Sequence, residues 1–478
     1  MRQAWRVADV RSAEKALMAT LPDGTLMQRA AAGLARRCAL LLQERGGVYG
    51  STVVLLIGSG DNGGDALYAG ARLAARGAAV RAVLLQPDRA HPAGLATLRR
   101  AGGRTVAEPP ARADLIVDGI VGIGASGGLR PDAAALVAGL RRRHPGTPVV
   151  AVDVPSGVAV DTGDVPGDAV HADVTVTFGC LKPAHVVGPA AALAGHVELV
   201  DIGLGATLRA SAAVRVPDAS DIVSWWPRPG AASDKYTRGV VGVATGSATY
   251  PGAAVLSVTG ALAGPTGMVR YAGSADREVL RQHPSVVAAK RVADAGRVQA
   301  WVCGSGLGTG DDARTELRSV LATSLPVLLD ADALTLLVDG QHATDLRRDA
   351  PLVITPHDRE FARLAGEAPG ADRVGAACRL AAWINAVVLL KGDRTIVATP
   401  SGEVWANPTG SADLATAGSG DVLAGLLGSL LAAGVSAERA AVAAAYVHGL
   451  AGRRAGLDGP ATSADVAAAL RPVLADLL

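Results

Sequence analysis

Residues 414–425 read LATAGSGDVLAG: small residues, then Asp421, then an apolar helical pattern that continues through Leu431. A glycine-rich turn at a helix start leaves backbone N–H groups unpaired, and together with the helix dipole they form an anion site that suits phosphate. An aspartate in the first turn of that helix stands beside such a phosphate, where it can take a proton from a hydroxyl attacking phosphorus. The chemistry is phosphoryl transfer. A lone GxGD equally supports Asp421 as a helix N-cap, so its company in the chain decides between the two readings.

A second group is Gly58-Ser59-Gly60-Asp61-Asn62-Gly63-Gly64-Asp65, after the strand pattern at 52–57 and before a helix expected over 66–76. Strand, glycine loop and helix make the geometry that holds a dinucleotide phosphate at a helix N-terminus. The glycine spacing is not the Rossmann fingerprint, so a hydride-transfer dehydrogenase is not the first choice. Val117-Asp118 leads into Gly122-Ile123-Gly124-Ala125-Ser126-Gly127-Gly128, and Val152-Asp153-Val154-Pro155-Ser156-Gly157 ends a later strand. These pieces fall at carboxyl ends of strands expected to be parallel, where open α/β sheets bind ligands. Taken singly, Asp118 and Asp153 read as acids that end a strand and cap the next turn, and Lys182 as a surface charge before Pro183.

Repeating elements must position these groups. From residue 52, β-branched or aliphatic runs at 52–57, 80–85, 115–118, 149–153 and 174–178 alternate with Ala/Leu/Arg segments of helical length. That rhythm means βαβ units and a mainly parallel sheet, and it stops near 197–202. After Trp225-Trp226-Pro227 a second series opens, with strands expected at 240–244, 298–303, 327–330, 352–355 and 387–391. The expected architecture is α/β, two tandem domains, 1–212 and 213–478, with a connector over 205–221. A chain of 478 residues agrees, since about 150 residues per domain allows two or three.

Composition excludes several functions. The 46 Lys+Arg against 44 Asp+Glu create no field of one sign for nucleic acid or an anionic membrane, and 3% aromatic residues supply few platforms for base stacking. Cys38, Cys180, Cys303 and Cys378 form no CxxC pair and read as buried small hydrophobes rather than a disulfide framework or a zinc site. Residues 239–269 carry no charge, but their glycines and Pro251 and Pro265 break any membrane-spanning helix, so strand, loop and helix are expected. The N-terminus lacks a secretory pattern, so a cytoplasmic address is the expectation.

The second half carries an ordered set of motifs: Lys235-Tyr236-Thr237-Arg238-Gly239, Thr245-Gly246-Ser247, Tyr250-Pro251-Gly252-Ala253-Ala254, Gly267-Met268-Val269, His283-Pro284, Gly304-Ser305-Gly306-Leu307-Gly308, Asp330-Ala331-Asp332-Ala333-Leu334, Thr355-Pro356-His357 with Glu360-Phe361, Leu390-Lys391-Gly392-Asp393 with Thr395, and the GSGD turn. In this order they resemble the ribokinase-like superfamily and, within it, the ADP- or ATP-dependent NAD(P)H-hydrate dehydratases. The resemblance implies a ribokinase-like α/β domain in which Lys391, Gly392, Asp393, Arg394 and Thr395 hold the nucleotide phosphates and Gly420 lies against the adenylate. It implies that Ala254, Gly306, His357 and Asp421 face the hydrated ring, with Asp421 the catalytic base and Mg²⁺ accompanying ADP as phosphoryl donor. The bland readings are a solvated strand end for Lys391 and a helix cap for His357. Of five lysines, Lys182, Lys235 and Lys391 all fall in motifs, which argues against surface roles.

The first half resembles the NAD(P)H-hydrate epimerases over roughly 10–205, which implies a Rossmann-like three-layer α/β/α domain. By that resemblance Asn62, Asp118 and Ser156 ligate K⁺. Asp61, Asn62, Gly63, Gly64, Asp65, the seven residues 122–128, Asp153 and Lys182 contact the substrate, and Asp153 is the candidate for proton transfer at C6. Asp61 stands where the family has Asn, and Ala66 where it usually has Gly. The two resemblances together imply a bifunctional enzyme, lyase and isomerase, acting on NADHX and NADPHX with ADP and forming a homo-oligomer. Two rivals stand beside this reading: a small-molecule kinase of the same superfamily, and a dehydratase whose N-terminal domain is a non-catalytic binding module.

Overall fold

The computed structural model describes residues 1–124, 127–339 and 348–478; the expected substrate contacts Ala125 and Ser126 lie outside the described residues. The chain divides into two compact units, Gln3–Val214 and Met1–Arg2 with Arg215–Leu478.

The first unit carries helices α1 (Val7–Met18), α2 (Thr25–Gln43), α3 (Asp61–Ala74), α4 (Pro92–Arg100), α5 (Pro131–Arg143) and α6 (Ala190–Leu193). Strand β1 (Arg2–Ala4) precedes them, and β2 (Thr52–Ile57), β3 (Ala79–Leu84), β4 (Arg104–Val106), β5 (Leu115–Gly119), β6 (Val149–Val152), β7 (Val174–Phe178) and β8 (His196–Val200) alternate with them. These last seven form one sheet in the order β4-β3-β2-β5-β6-β7-β8, parallel throughout. The order reverses between β2 and β5, which opens a crevice at their carboxyl ends. β2, β5, β6 and β7 are buried along nearly their whole lengths, as strands covered on both faces must be.

The helix expected from residue 66 starts at Asp61, so the glycine motif forms the first turns of α3 rather than a loop before it. The reason is steric. A Cβ on Gly63 would stand 2.6 Å from the Gly58 carbonyl oxygen, so glycine lets the helix begin directly over the end of β2.

The second unit contains β9 (Val214–Val216), β10 (Val240–Ala244), β11 (Met268–Ala272), β12 (Val287–Ala289), β13 (Ala300–Cys303), β14 (Val327–Leu329), β15 (Leu352–Ile354), β16 (Val387–Leu390), β17 (Ile396–Ala398) and β18 (Val404–Ala406). The expected connector at 205–221 thus holds a strand and the start of a helix. Its helices are α7 (Ala219–Trp225), α8 (Pro251–Ala263), α9 (Asp276–Gln282), α10 (Asp311–Leu321), α11 (Asp332–Asp339), α12 (Asp358–Ala365), α13 (Arg373–Ile384), α14 (Ser419–Ala432), α15 (Ala437–Ala455) and α16 (Ser463–Leu477). The central strands run β16-β15-β14-β13-β10-β11-β12, all parallel, and β17 and β18 add antiparallel beyond β16.

The uncharged stretch 239–269 resolves into β10, α8 and β11, with Pro251 at the first turn of α8 and Pro265 just past its end. Among the described residues no helix is long and apolar enough to cross a membrane. Helix α14 is buried from Val422 to Ala432. It can lie this deep because Gly425 and Gly260 have no side chains where α14 meets α8: a Cβ on Gly425 would stand 1.9 Å from the Ser257 carbonyl oxygen. Cys38, Cys180 and Cys303 are buried, and Cys378 is partly so.

Candidate active sites

In the second unit, the carboxyl ends of β13, β14, β15 and β16 bring Ser305, Asp330, Thr355 and Lys391 together. Lys391 Nζ donates to Asp330 Oδ1 at 2.8 Å and lies 3.6 Å from Glu360 Oε2. Thr355 Oγ1 donates to the same Asp330 oxygen at 2.8 Å, and Ser305 Oγ to the other at 3.2 Å. Lys391 is therefore no solvated strand end. Burial alone would favour its neutral form, but Asp330 and Glu360 outweigh it and raise its pKa, keeping the ammonium charged.

The GSGD turn closes over this cluster. Gly418, at φ 88, caps α14, so Asp421 is not the N-cap and sits in the first turn with its side chain free for other work. A Cβ on Gly420 would stand 3.5 Å from Lys391 Nζ and 3.8 Å from Asp330 Oδ2. Burial, helped by the negative Asp330, pushes the Asp421 carboxyl up to about 7, against the pull of a hydrogen bond from Ser305 and of Lys391. A carboxyl poised near neutrality beside a helix N-terminus is suited to taking a proton at physiological pH.

The remaining expected residues sit as follows. His357 caps α12: its Nδ1 accepts from the N–H groups of Arg359 and Glu360, while Glu360 accepts from the His357 N–H and turns its other oxygen to His357 Nε2 at 3.5 Å. The capping role and a place at the cluster's edge hold together. Gly306, at φ 64, packs against Tyr250 and Ala253. The Ala254 methyl lies in the apolar core against Gly246, so its side chain is fully covered. Beyond Lys391, Thr395 Oγ1 donates to the Gly392 carbonyl, Arg394 to the Pro408 carbonyl at 3.2 Å, and Asp393 is exposed.

In the first unit, a buried ion pair forms the centre. Lys182 Nζ donates to Asp153 Oδ1 at 2.6 Å, to Thr177 Oγ1 at 2.9 Å and to the Phe178 carbonyl at 3.0 Å, so all three protons are used. Its side chain is 1% exposed, which rules out a surface charge. Thr177 Oγ1 also donates to Asp153 Oδ1 at 2.8 Å. Asp153 follows β6 in the left-handed region, at φ 65, a conformation that Asp tolerates better than most residues. His185 locks it there. The Lys182 N–H donates to His185 Nδ1 at 3.0 Å, so the ring proton is on Nε2, which donates to the Asp153 carbonyl at 2.8 Å. Burial would raise the Asp153 carboxyl, but the Lys182 charge and hydrogen bonds bring it below its ordinary value.

Asp118 and Ser156 form a second buried cluster: Ser156 Oγ donates to Asp118 Oδ1 at 2.7 Å and Ser156 N–H to Oδ2 at 2.8 Å. Burial pushes Asp118 up to about 6 despite these bonds. Asn62 lies against Gly122, where a Cβ would come within 2.9 Å of its Oδ1. Asp65 is buried, with Oδ1 free of any partner, and burial and the nearby Asp153, Asp61 and Glu14 charges hold its pKa well above the usual carboxylate range. Ala66 is accommodated opposite Gly119, where a Cβ would come within 2.7 Å of the Ala66 methyl.

Several participants carried no assigned role in the sequence, although four of them stand inside its motifs. Asp330, Ser305, Thr355 and Glu360 surround Lys391, and Thr177 and His185 surround Lys182. The signal for Glu360 was its place three residues after His357, the spacing of a capping box; that for His185 was the same spacing after Lys182.

A mainly parallel sheet with a glycine turn at the start of a buried helix gives the second unit a ribokinase-like α/β fold, and comparisons agree. Residues 241–469 match the family model described as NAD(P)H-hydrate dehydratase, and residues 23–184 the model described as YjeF-related protein N-terminus. The chain is 51% identical over 456 residues to the bifunctional NAD(P)H-hydrate repair enzyme Nnr of Mycobacterium leprae, covering 94% of this chain and 93% of the relative. It is similar to the crystal structure of the ADP/ATP-dependent NAD(P)H-hydrate dehydratase from Bacillus subtilis co-crystallized with ATP/Mg²⁺, with TM-score 0.50, 26% identity, and 55% of this chain and 99% of that one covered. A ribokinase-like superfamily protein from Enterococcus faecalis shares the fold, with TM-score 0.51 and 22% identity over 55% of this chain and 96% of that one. The chain belongs to the family of bifunctional NAD(P)H-hydrate repair enzymes. A small-molecule kinase is not favoured.

Proposed function

We propose that the second unit dehydrates the S form of NAD(P)HX with ADP as phosphoryl donor, and that the first unit epimerises the R and S forms. The observation that carries the first half is Asp421, poised near neutrality within the same charged cluster as Lys391 and Asp330. The 6-hydroxyl is a poor leaving group. Asp421 takes its proton as the oxygen attacks the terminal phosphorus of ADP, and AMP departs. The ring nitrogen then expels the phosphate ester as inorganic phosphate, and loss of a C5 proton restores the dihydronicotinamide. Lys391 through Thr395 bind the nucleotide phosphates, with Gly420 against the adenylate, and Gly306 and His357 line the ring site. Among the described residues no cluster of three or more His, Cys, Asp or Glu is disposed to hold a metal. Mg²⁺ would accompany the nucleotide, since such ions bind largely through substrate phosphates.

In the first unit Asp153 handles the protons of ring opening at C6 and reclosure on the opposite face, held by Lys182 and His185. Residues 61–65 and 122–128 hold the dinucleotide. Asp118, Ser156 and Asn62 would supply hard oxygens to K⁺, whose charge would balance the Asp118 carboxylate, and the buried Ser156–Asp118 hydrogen bond supports this reading. The domains 1–212 and 213–478, a cytoplasmic address and a homo-oligomer complete the reading.

Stoichiometry tests the dehydratase half. With S-hydrate and ADP, one AMP and one phosphate should appear per NAD(P)H formed. A phosphorylated hydrate that accumulates without NAD(P)H would mark a kinase instead.

A further inference from the structure

Helix α1 lies outside residues 23–184, the span matched by the N-terminal family model, and carries none of the motifs above. Yet it faces the N-terminal site. Arg11 Nη2 lies 3.2 Å from where a Cβ on Gly124 would stand, and so lies against that glycine. One turn on, the half-buried Glu14 lies within electrostatic range of Lys182, Asp153, Asp61 and Arg11. Residues three apart share a helix face, so α1 presents both groups to the end of the crevice.

The local charges are unbalanced. Asp61, Asp65, Glu14 and Asp153 contribute four carboxyl groups, and Lys182 is fully engaged by Asp153, Thr177 and Phe178. Asp65 is 8% exposed, and its Oδ1 has no partner. A dinucleotide would bring a pyrophosphate, and Asp61 adds a charge where the family carries Asn. Arg11 is exposed and makes no hydrogen bond or ion pair with any described residue. We propose that Arg11 is a substrate-binding residue of the N-terminal site, its guanidinium gripping a phosphate group of the dinucleotide beside Gly124. Guanidinium presents a planar fork of donors that matches phosphate oxygens. The proposal rests on the epimerase reading of this site.

The test is the kinetics of R-to-S conversion by the full-length protein, with dehydration of S-hydrate as the folding control. Arg11→Ala should raise KM by about tenfold with kcat within about twofold, the signature of lost ground-state binding. Arg11→Lys should fall between the two. Raising salt should increase the wild-type KM more than that of Arg11→Ala, because a charge-to-phosphate contact is screened. Lys15→Ala removes an exposed cation from the same helix and should change nothing. An Arg11→Ala enzyme with unchanged KM, with a fall confined to kcat, or with an undiminished salt response overturns the proposal. A wild-type protein that does not epimerise overturns the underlying reading instead.

Discussion

Replacing Asp421 with Ala should lower ADP-dependent dehydration of S-hydrate by at least about 10³-fold, the upper part of the range for losing a positioned general base. Epimerisation should stay near wild type. The side chain sits above the N-cap of α14, and Gly418 rather than Asp421 shapes the turn, so its loss leaves the backbone of the phosphate cradle intact. The pH profile carries the same information. With Asp421 raised to about 7 by burial and Asp330, the ionised base in the free enzyme thins roughly tenfold per pH unit below that value. Dehydratase kcat/KM should therefore fall on the acid side of about pH 7. Stability runs the other way: a carboxyl raised in the folded state favours folding at low pH, and that contribution is lost as pH rises through about 7. Asp421→Asn should consequently gain stability over wild type between pH 4 and pH 8 while losing catalysis. A variant at near wild-type turnover would remove Asp421 from the mechanism.

Asp153→Ala should reduce R-to-S conversion to the spontaneous rate while dehydration of S-hydrate continues. The Lys182 ammonium and hydrogen bonds keep this buried carboxyl below its ordinary value, so it is ionised and ready to accept a proton across the physiological range. Removing the partner instead should show in folding. Lys182→Met leaves a buried carboxylate unpaired, at a cost of roughly 3–5 kcal/mol, and Asp153→Asn in the same chain should restore much of it. Chemical denaturation of the single and double variants measures that coupling. Exchange by Asp153→Ala at the wild-type rate would contradict the assignment and leave the first unit as a binding module.

Much of this was legible because both sites lie at the ends of buried parallel strands, where short apolar runs stop at a charged or small residue. The runs at 52–57, 174–178 and 240–244 coincide with β2, β7 and β10, since a strand covered on both faces is apolar along its length. Short edge strands such as β4 and β12 are partly exposed and left no such trace. The start of α3 was misplaced because glycine reads locally as loop, whereas Gly63 is needed for the helix to pass over Gly58. Partners that meet only in space were hidden too. Nothing near Lys391 in the chain announces Asp330, 61 residues away, and nothing in α1 announces Gly124.

Recovery from a mixture of R and S hydrate with ADP reports on both units at once. Full return of NAD(P)H, faster than spontaneous exchange permits, is the result expected of a chain that epimerises in its first unit and dehydrates at Asp421 in its second. A recovery that halts once the S form is spent would contradict the epimerase half, and no recovery would contradict the phosphoryl-transfer role of the turn at Gly418, Ser419, Gly420 and Asp421.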